Sequence, residues 1–137
     1  DFIPVARQEL VVIVPPDHPL SDRTEIRLCE TLDYPQILFS RRSGLRPMID
    51  KLFLACGKQP DCIFEIDEDQ TIAGFVANGF GIAVVPNMPI LASMHLKVIH
   101  ITEANWERRF YIAYLKNRYR TPLAEQFLSY VKSHALI

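Results

Sequence analysis

Ser40, Arg41 and Arg42, followed by Ser43 and Gly44, put two hydroxyls, two guanidinium groups and a flexible turn into five consecutive positions. Guanidinium groups grip carboxylates in a fork, hydroxyls add directed bonds, and the unpaired amides that open a helix favour negative charge. Between a strand and a helix, such a loop is suited to hold a carboxylate. It equally suits a surface turn whose arginines face water, and the residue types alone decide for neither. A second polar group follows in Glu65, Asp67, Glu68 and Asp69. Carboxylates at a helix start oppose the helix dipole and cap free amides, so Asp67 or Asp69 is expected as a cap. An acid at position 67 repels an anion, and pairing of Asp67 with Arg41 or Arg42 is the other arrangement open to it.

Other chemistry finds no purchase. There is no Gly-x-Gly-x-x-Gly and no phosphate loop ending in Gly-Lys-Ser/Thr. Gly79-Phe80-Gly81 leads into a strand and reads as a helix-to-strand turn. His18, His95, His100 and His134 lie far apart without a Cys or Glu at ligand spacing, so no metal site is expected. No Gly-x-Ser-x-Gly elbow is present, and neither catalytic residues nor a cofactor are assigned. Trp106, Phe80 and Tyr111 are of a kind to wall a pocket for an aromatic ligand, but isolated aromatics more often pack a core, and none is given that role. Arg108, Arg109, Lys116, Arg118 and Arg120 read as a solvated rim. A formal net charge of −1 and the lack of a helix-turn-helix pattern argue against DNA binding by this chain itself.

The elements that position these groups follow from periodicity. Residues 8–14, whose last five are all Leu, Val or Ile, end at Pro15 and Pro16 and read as a buried strand. A second strand is expected over 36–40 and a helix over 46–56, where Ile49, Leu52, Phe53 and Cys56 share one face and Gly57 stops the helix. Strand 62–66 leads to a helix with Ile72, Phe75 and Val76 inward and Gly79 at its end. Strands over 81–85, 96–101 and 109–116 come next. Thr121-Pro122 then opens a last helix, with Leu123, Phe127, Tyr130 and Val131 as its buried stripe. Alternating strands and helices give an α/β class with a largely parallel sheet.

The 49% apolar and 23% charged content is that of a soluble globular domain, and no apolar run is long enough to span a bilayer, so no membrane partner is expected. Cys29, Cys56 and Cys62 make an odd set with no close pair. They are expected as small buried thiols in a reducing cytoplasm, with a Cys56–Cys62 redox pair the lesser alternative. The chain starts without Met or a signal peptide, as if cut from a longer one.

Three stretches together resemble the LysR-type transcriptional regulators. These are Leu-Val-Val-Ile-Val-Pro-Pro-Asp-His-Pro-Leu at 10–20, Leu-Asp-Tyr-Pro with Ile-Leu-Phe-Ser at 32–40, and Glu-Asp-Gln-Thr-Ile-Ala-Gly-Phe-Val-Ala-Asn-Gly-Phe-Gly-Ile-Ala-Val-Val-Pro at 68–86. The third is the specific one, and the likeness covers essentially the whole chain. The resemblance implies an effector-binding domain with a fold like type II periplasmic binding proteins, two α/β lobes around a ligand cleft, the first lobe incomplete. It divides the chain into first-lobe residues 1–34, a second lobe 35–101 and a return to the first lobe at 102–137. It implies a small organic acid as effector. Ser40 lies at a cleft position, Asp67 and Gln70 open the next helix at another, and Arg41 and Arg42 stand in the first loop. It further implies a cytoplasmic homo-oligomer, dimer or tetramer, that meets DNA through a winged-helix domain absent here. A solute-binding protein of the same fold is the alternative, and an enzyme on that scaffold a weaker one. A half-present lobe leaves strand edges near 10–14 and 110–115 uncovered, so self-association is expected.

Overall fold

In the computed structural model, residues 1–103 and 107–135 are described, and they form two compact units. The larger takes in residues 10–103, the smaller residues 1–9 with 107–135. The boundary expected at 34/35 therefore falls inside the larger unit. Trp106 lies outside the described residues.

One strand, β1 (Phe2–Val14), contributes to both units. Its second half is the centre of the larger unit. Leu10 to Ile13 pair antiparallel with β5 (Ala83–Pro86), and Val11 to Val14 pair antiparallel with β6 (Lys97–Ile101). Both ladders and both faces are covered, which is why five consecutive apolar residues are needed, and Leu10 to Val14 are buried. The expected open edge at 10–14 does not exist. A two-residue strand β2 (Glu25–Ile26) completes this sheet, parallel to β6.

A second, two-stranded sheet pairs β3 (Gln36–Phe39) with β4 (Cys62–Ile66) in parallel, extended by an isolated parallel bridge from Gln36 to Ile82. The largely parallel sheet expected from the β/α alternation is thus corrected. Among the described residues, β1 meets its three partners antiparallel, and parallel pairing is confined to β2–β6, β3–β4 and that bridge. The alternation read from sequence holds only for the segment from β3 to β5.

Helix α1 (Leu45–Leu54) links β3 to β4 and buries Leu45, Arg46, Ile49 and Phe53; α2 (Asp69–Ala77) links β4 to β5 and buries Ile72, Ala73 and Val76. Gly79 ends α2 with φ +83°, its N–H donating to the Val76 carbonyl at 2.9 Å while Phe80 N–H reaches back to Phe75 at 3.1 Å. Gly81 is needed for another reason. A Cβ there would stand 3.1 Å from Ile63 Cδ1 and 3.2 Å from the Pro35 carbonyl, so backbone and sheet meet through its missing side chain.

The smaller unit pairs the first half of β1 with β7 (Glu107–Ala113), the ladder shifting register between Pro4 and Ala6. Proline cannot donate to a ladder, and a bulge accommodates it. Helix α3 (Pro122–Ser133) starts as expected, the Thr121 hydroxyl accepting from Ala124 N–H at 3.2 Å with Pro122 in the first turn. Its expected buried stripe is a correction: Leu123, Phe127 and Tyr130 are 75, 56 and 61% exposed, and the buried residue is Leu128, one step round the helix. Nothing among the described residues covers that stripe. Phe110, Tyr111 and Leu115 are likewise exposed, as the 110–115 expectation had it.

The thiols are also corrected. Cys29 and Cys56 form a disulfide, Cα to Cα 5.5 Å, and Cys62 is a free, exposed thiol. Pairing skipped the six-residue neighbour because the end of α1 packs beside the 3-10 helix Leu28–Asp33, not along β4.

Candidate functional site

The C-terminal ends of β3 and β4 carry the candidate residues Ser40 and Asp67. Parallel strands place both ends on one side of a sheet, and the helix following each strand begins there, which is where α/β folds gather ligands. The ladder runs through Phe39 opposite Ile66 and closes with Ser40 N–H donating to the Ile66 carbonyl at 3.0 Å. One residue further, the Ser40 hydroxyl donates to Asp67 Oδ1. Ser40 and Asp67 are therefore brought together across 27 residues of sequence.

Asp67 does not cap α2 and does not pair with Arg41 or Arg42, as the sequence had allowed. The N-cap residue is Glu68, whose side chain makes no capping bond, while Asp69 accepts from the Gln70 amide at 2.8 Å. Asp67 sits one position too early to cap and is turned onto Ser40. The N-terminus of α2 is left without a side-chain cap, and so is that of α1, where Gly44 is the N-cap. Ser43 Oγ accepts from Leu45 N–H at 3.2 Å, and Ser43 N–H donates to the Ser40 carbonyl at 3.0 Å, which folds loop 40–44 into a tight turn.

The three arginines separate by role. Arg46 is buried. It donates to Asp50 at 2.8 Å, to Glu65 at 3.0 Å and to the Phe39 carbonyl at 2.7 Å, joining α1, β4 and the end of β3. Burial opposes its charge, but the hydrogen bonds and charges of Asp50 and Glu65 outweigh that and hold the guanidinium above its ordinary pKa. Arg41 is 84% exposed and stands 3.9 Å from Glu65, a loose surface pair. Arg42 is exposed and has no hydrogen bond or ion pair among the described residues. Gln70 is exposed at the start of α2. Loop 40–44 and the first turn of α2 thus offer an acceptor pair, Ser40–Asp67, and an uncommitted cation, Arg42, two residues from it.

The role of Arg46 is not marked by residue type, but its spacing signals it. Arg46 falls three residues before Ile49 and seven before Phe53, on the buried stripe itself, and a charge on that stripe implies a buried partner. Glu65 was grouped with the helix-start acids, but it belongs to β4 and neutralises Arg46. Phe80, half of its surface exposed, closes an aromatic triangle with Phe64 and Phe75, ring centroids 5.3–6.1 Å apart. Tyr111 lies in the smaller unit. Among the described residues, no three His, Cys, Asp or Glu side chains cluster as metal ligands, and no helix is long and apolar enough to cross a membrane.

The LysR substrate binding domain model matches residues 1–136. The chain is similar to the HTH-type transcriptional regulator YybE of Bacillus subtilis, 38% identical over 133 residues that cover 97% of this chain and 46% of that protein. It is also similar to the RuBisCO operon transcriptional regulator of Acidithiobacillus ferrooxidans, 30% identical over 92% of this chain and 42% of that one. The chain spans about half the length of the curated relatives it matches. Among solved structures, the effector-binding domain of QuiR in complex with shikimate superposes with a TM-score of 0.87 at 38% identity, covering 98% of this chain and 65% of that one. The regulatory domain of CcmR from Synechocystis PCC6803 in complex with 2-PG gives 0.85 at 25% identity, over 98% of this chain and 66% of that one.

Proposed function

The chain belongs to the LysR substrate-binding domain family, and from that premise we propose that it senses a hydroxylated organic acid at the Ser40–Arg42 loop and reports it to a DNA-binding domain elsewhere in its regulator. The observation that carries this is the Ser40–Asp67 pair, held at the ends of two parallel strands, with Arg42 two residues on in the same loop and without an ion pair among the described residues. A carboxylate ligand takes the guanidinium in a fork. Asp67, an acceptor only, repels a second carboxylate but accepts readily from a ligand hydroxyl, and Ser40 keeps free lone pairs for the same purpose. Charge at one end and hydroxyls at the other is the chemistry of a hydroxy acid. The shikimate bound by QuiR is of that class, and it supports the reading.

In this reading residues 35–101, inside the larger compact unit, form the second lobe, Gln70 contacts the ligand from the first turn of α2, and Arg41 stays with Glu65 in water. The fold being the type II periplasmic-binding-protein-like one, binding shifts the regulator between states and no bond is made or broken. The regulator works in the cytoplasm as a homo-oligomer and touches DNA through its helix-turn-helix portion. Thermal unfolding of the intact regulator with shikimate, with the same ring lacking its carboxylate, and with the same ring lacking its hydroxyls tests this directly. The expected result is a rise in Tm with shikimate alone. Equal rises with all three compounds, or none, refute the two-ended site.

A further inference from the structure

We propose that Cys29–Cys56 is a reversible redox modification site, opened by a low-molecular-weight dithiol or by glutathione, through which α1 and the loop at its start respond to the thiol state of the cell. The proposal rests on the regulator reading in one respect. A protein that acts on DNA in the cytoplasm meets glutathione and thioredoxin, and disulfides there are transient and regulatory more often than structural.

The geometry suits the role. Cys29 is exposed in the 3-10 helix Leu28–Asp33, and Cys56 lies two residues past the end of α1. The bond therefore ties the C-terminal end of α1 to that turn, while the N-terminal end of the same helix carries Ser43, Gly44 and the candidate ligand loop. Each flank is held by bonds of its own. Leu28 N–H donates to the Glu103 carboxylate at 3.2 Å, the Thr31 hydroxyl donates to the Leu28 carbonyl at 2.7 Å, and Gly57 N–H donates to Leu54 at 3.0 Å. Opening the disulfide releases a tether without unfolding what it joins.

The third cysteine does not interfere. Cys62 is exposed, but burial of its sulfur and the nearby Glu65 charge push its thiol up from the ordinary value, so little of it is thiolate. It neither attacks the disulfide readily nor substitutes for either partner, and an outside reagent is required. The thiolate of the reductant attacks the sulfur of Cys29, the exposed residue of the pair, and the Cys29–Cys56 bond breaks. Cys56 leaves as thiolate and takes a proton; the second thiol of a dithiol, or the thiolate of a second glutathione, then attacks the mixed disulfide, and Cys29 leaves as thiolate and takes the second proton. Two electrons and two protons pass to the protein, and the reductant leaves as a disulfide.

The test counts thiols. In the native oxidised chain, alkylation followed by mass measurement should add one group, at Cys62. After incubation with reduced glutathione without denaturant it should add three, and oxidised glutathione should return the count to one. Cys62→Ser should shift the counts to none and two, and Cys29→Ser should abolish the cycle. Hydrogen exchange in the last turn of α1 and at Gly57 should run at least tenfold faster in the reduced form. Three alkylations before any reductant, with no closure by oxidised glutathione, overturn the site. A bond that yields to glutathione only in denaturant overturns its reversibility, and unchanged exchange overturns its link to α1. None of these readouts depends on whether an effector binds, so failure here is separate from failure of the sensing reading.

Discussion

Replacing Arg46 by Met tests whether the buried guanidinium braces the end of β3 that leads into loop 40–44. Methionine keeps the apolar stem of the side chain and removes its charge and its three bonds. The bond to the Phe39 carbonyl is buried, and losing it leaves that acceptor short of a partner at a cost of about 1–3 kcal/mol. Asp50 and Glu65 are 40% and 42% exposed, so water recovers most of what they lose, and each contributes at most about 1 kcal/mol. The sum is roughly 2–4 kcal/mol, which for a chain of this size lowers Tm by roughly 6–15 °C. Urea unfolding followed by circular dichroism should show the midpoint fall with the slope unchanged. Arg41→Met is the control, since its guanidinium stands 3.9 Å from the same Glu65 in open solvent and should move stability by less than about 0.5 kcal/mol. If the two variants shift the midpoint alike, or Arg46→Met costs under about 1 kcal/mol, Arg46 is not the brace.

Three further outcomes are expected. Gly81→Ala drives a Cβ against Ile63 and the Pro35 carbonyl and should cost about 1–3 kcal/mol, partly recovered when Ile63→Ala is added; equal stability of Gly81→Ala and the native chain would contradict the close approach. His18 accepts Leu20 N–H at its Nδ1, and burial, opposed by the charge of Asp17, lowers its pKa below the ordinary value of about 6.5. The unfolded chain therefore binds the proton first. Stability present above pH 6.5 is lost as pH falls through the depressed folded value, and His18→Asn should flatten that part of a urea-midpoint-against-pH curve. The open stripe on α3 should bind an apolar dye, and Leu123→Glu with Phe127→Glu should reduce dye fluorescence and self-association measured by light scattering while changing the urea unfolding free energy by less than about 0.5 kcal/mol.

The elements were legible where local pattern and tertiary demand agree. Leu10 to Val14, the α1 face around Ile49 and Phe53, and the Thr121-Pro122 helix start follow from hydrophobic runs, a 3.6 period and capping chemistry. Pairing direction was not legible, because it depends on which strands lie beside β1, and alternation of elements says nothing about that. Pro4 hides the first half of β1, since only a bulge lets a strand carry proline there. The stripe on α3 has the right period but no partner among the described residues, so period alone assigned a burial that is not met. At the candidate site, Ser40, Arg42 and Asp67 were legible as types, yet the Ser40–Asp67 bond spans two strand ends and needs the parallel register of β3 and β4 to exist. The disulfide escaped for the same reason. Cys29 and Cys56 are 27 residues apart and meet only once α1 has docked.

The central claim is tested most directly by calorimetric titration of shikimate into the intact regulator and into its Ser40→Ala, Arg42→Ala and Arg118→Ala variants. A hydrogen bond to a charged group contributes about 1.5–3 kcal/mol, and about 1.4 kcal/mol is a factor of ten. Ser40→Ala and Arg42→Ala should each weaken binding about tenfold or more, and Arg118→Ala should leave it unchanged. If both site variants bind shikimate as tightly as the native protein while circular dichroism shows them folded, loop 40–44 is a structural turn and the effector is held elsewhere.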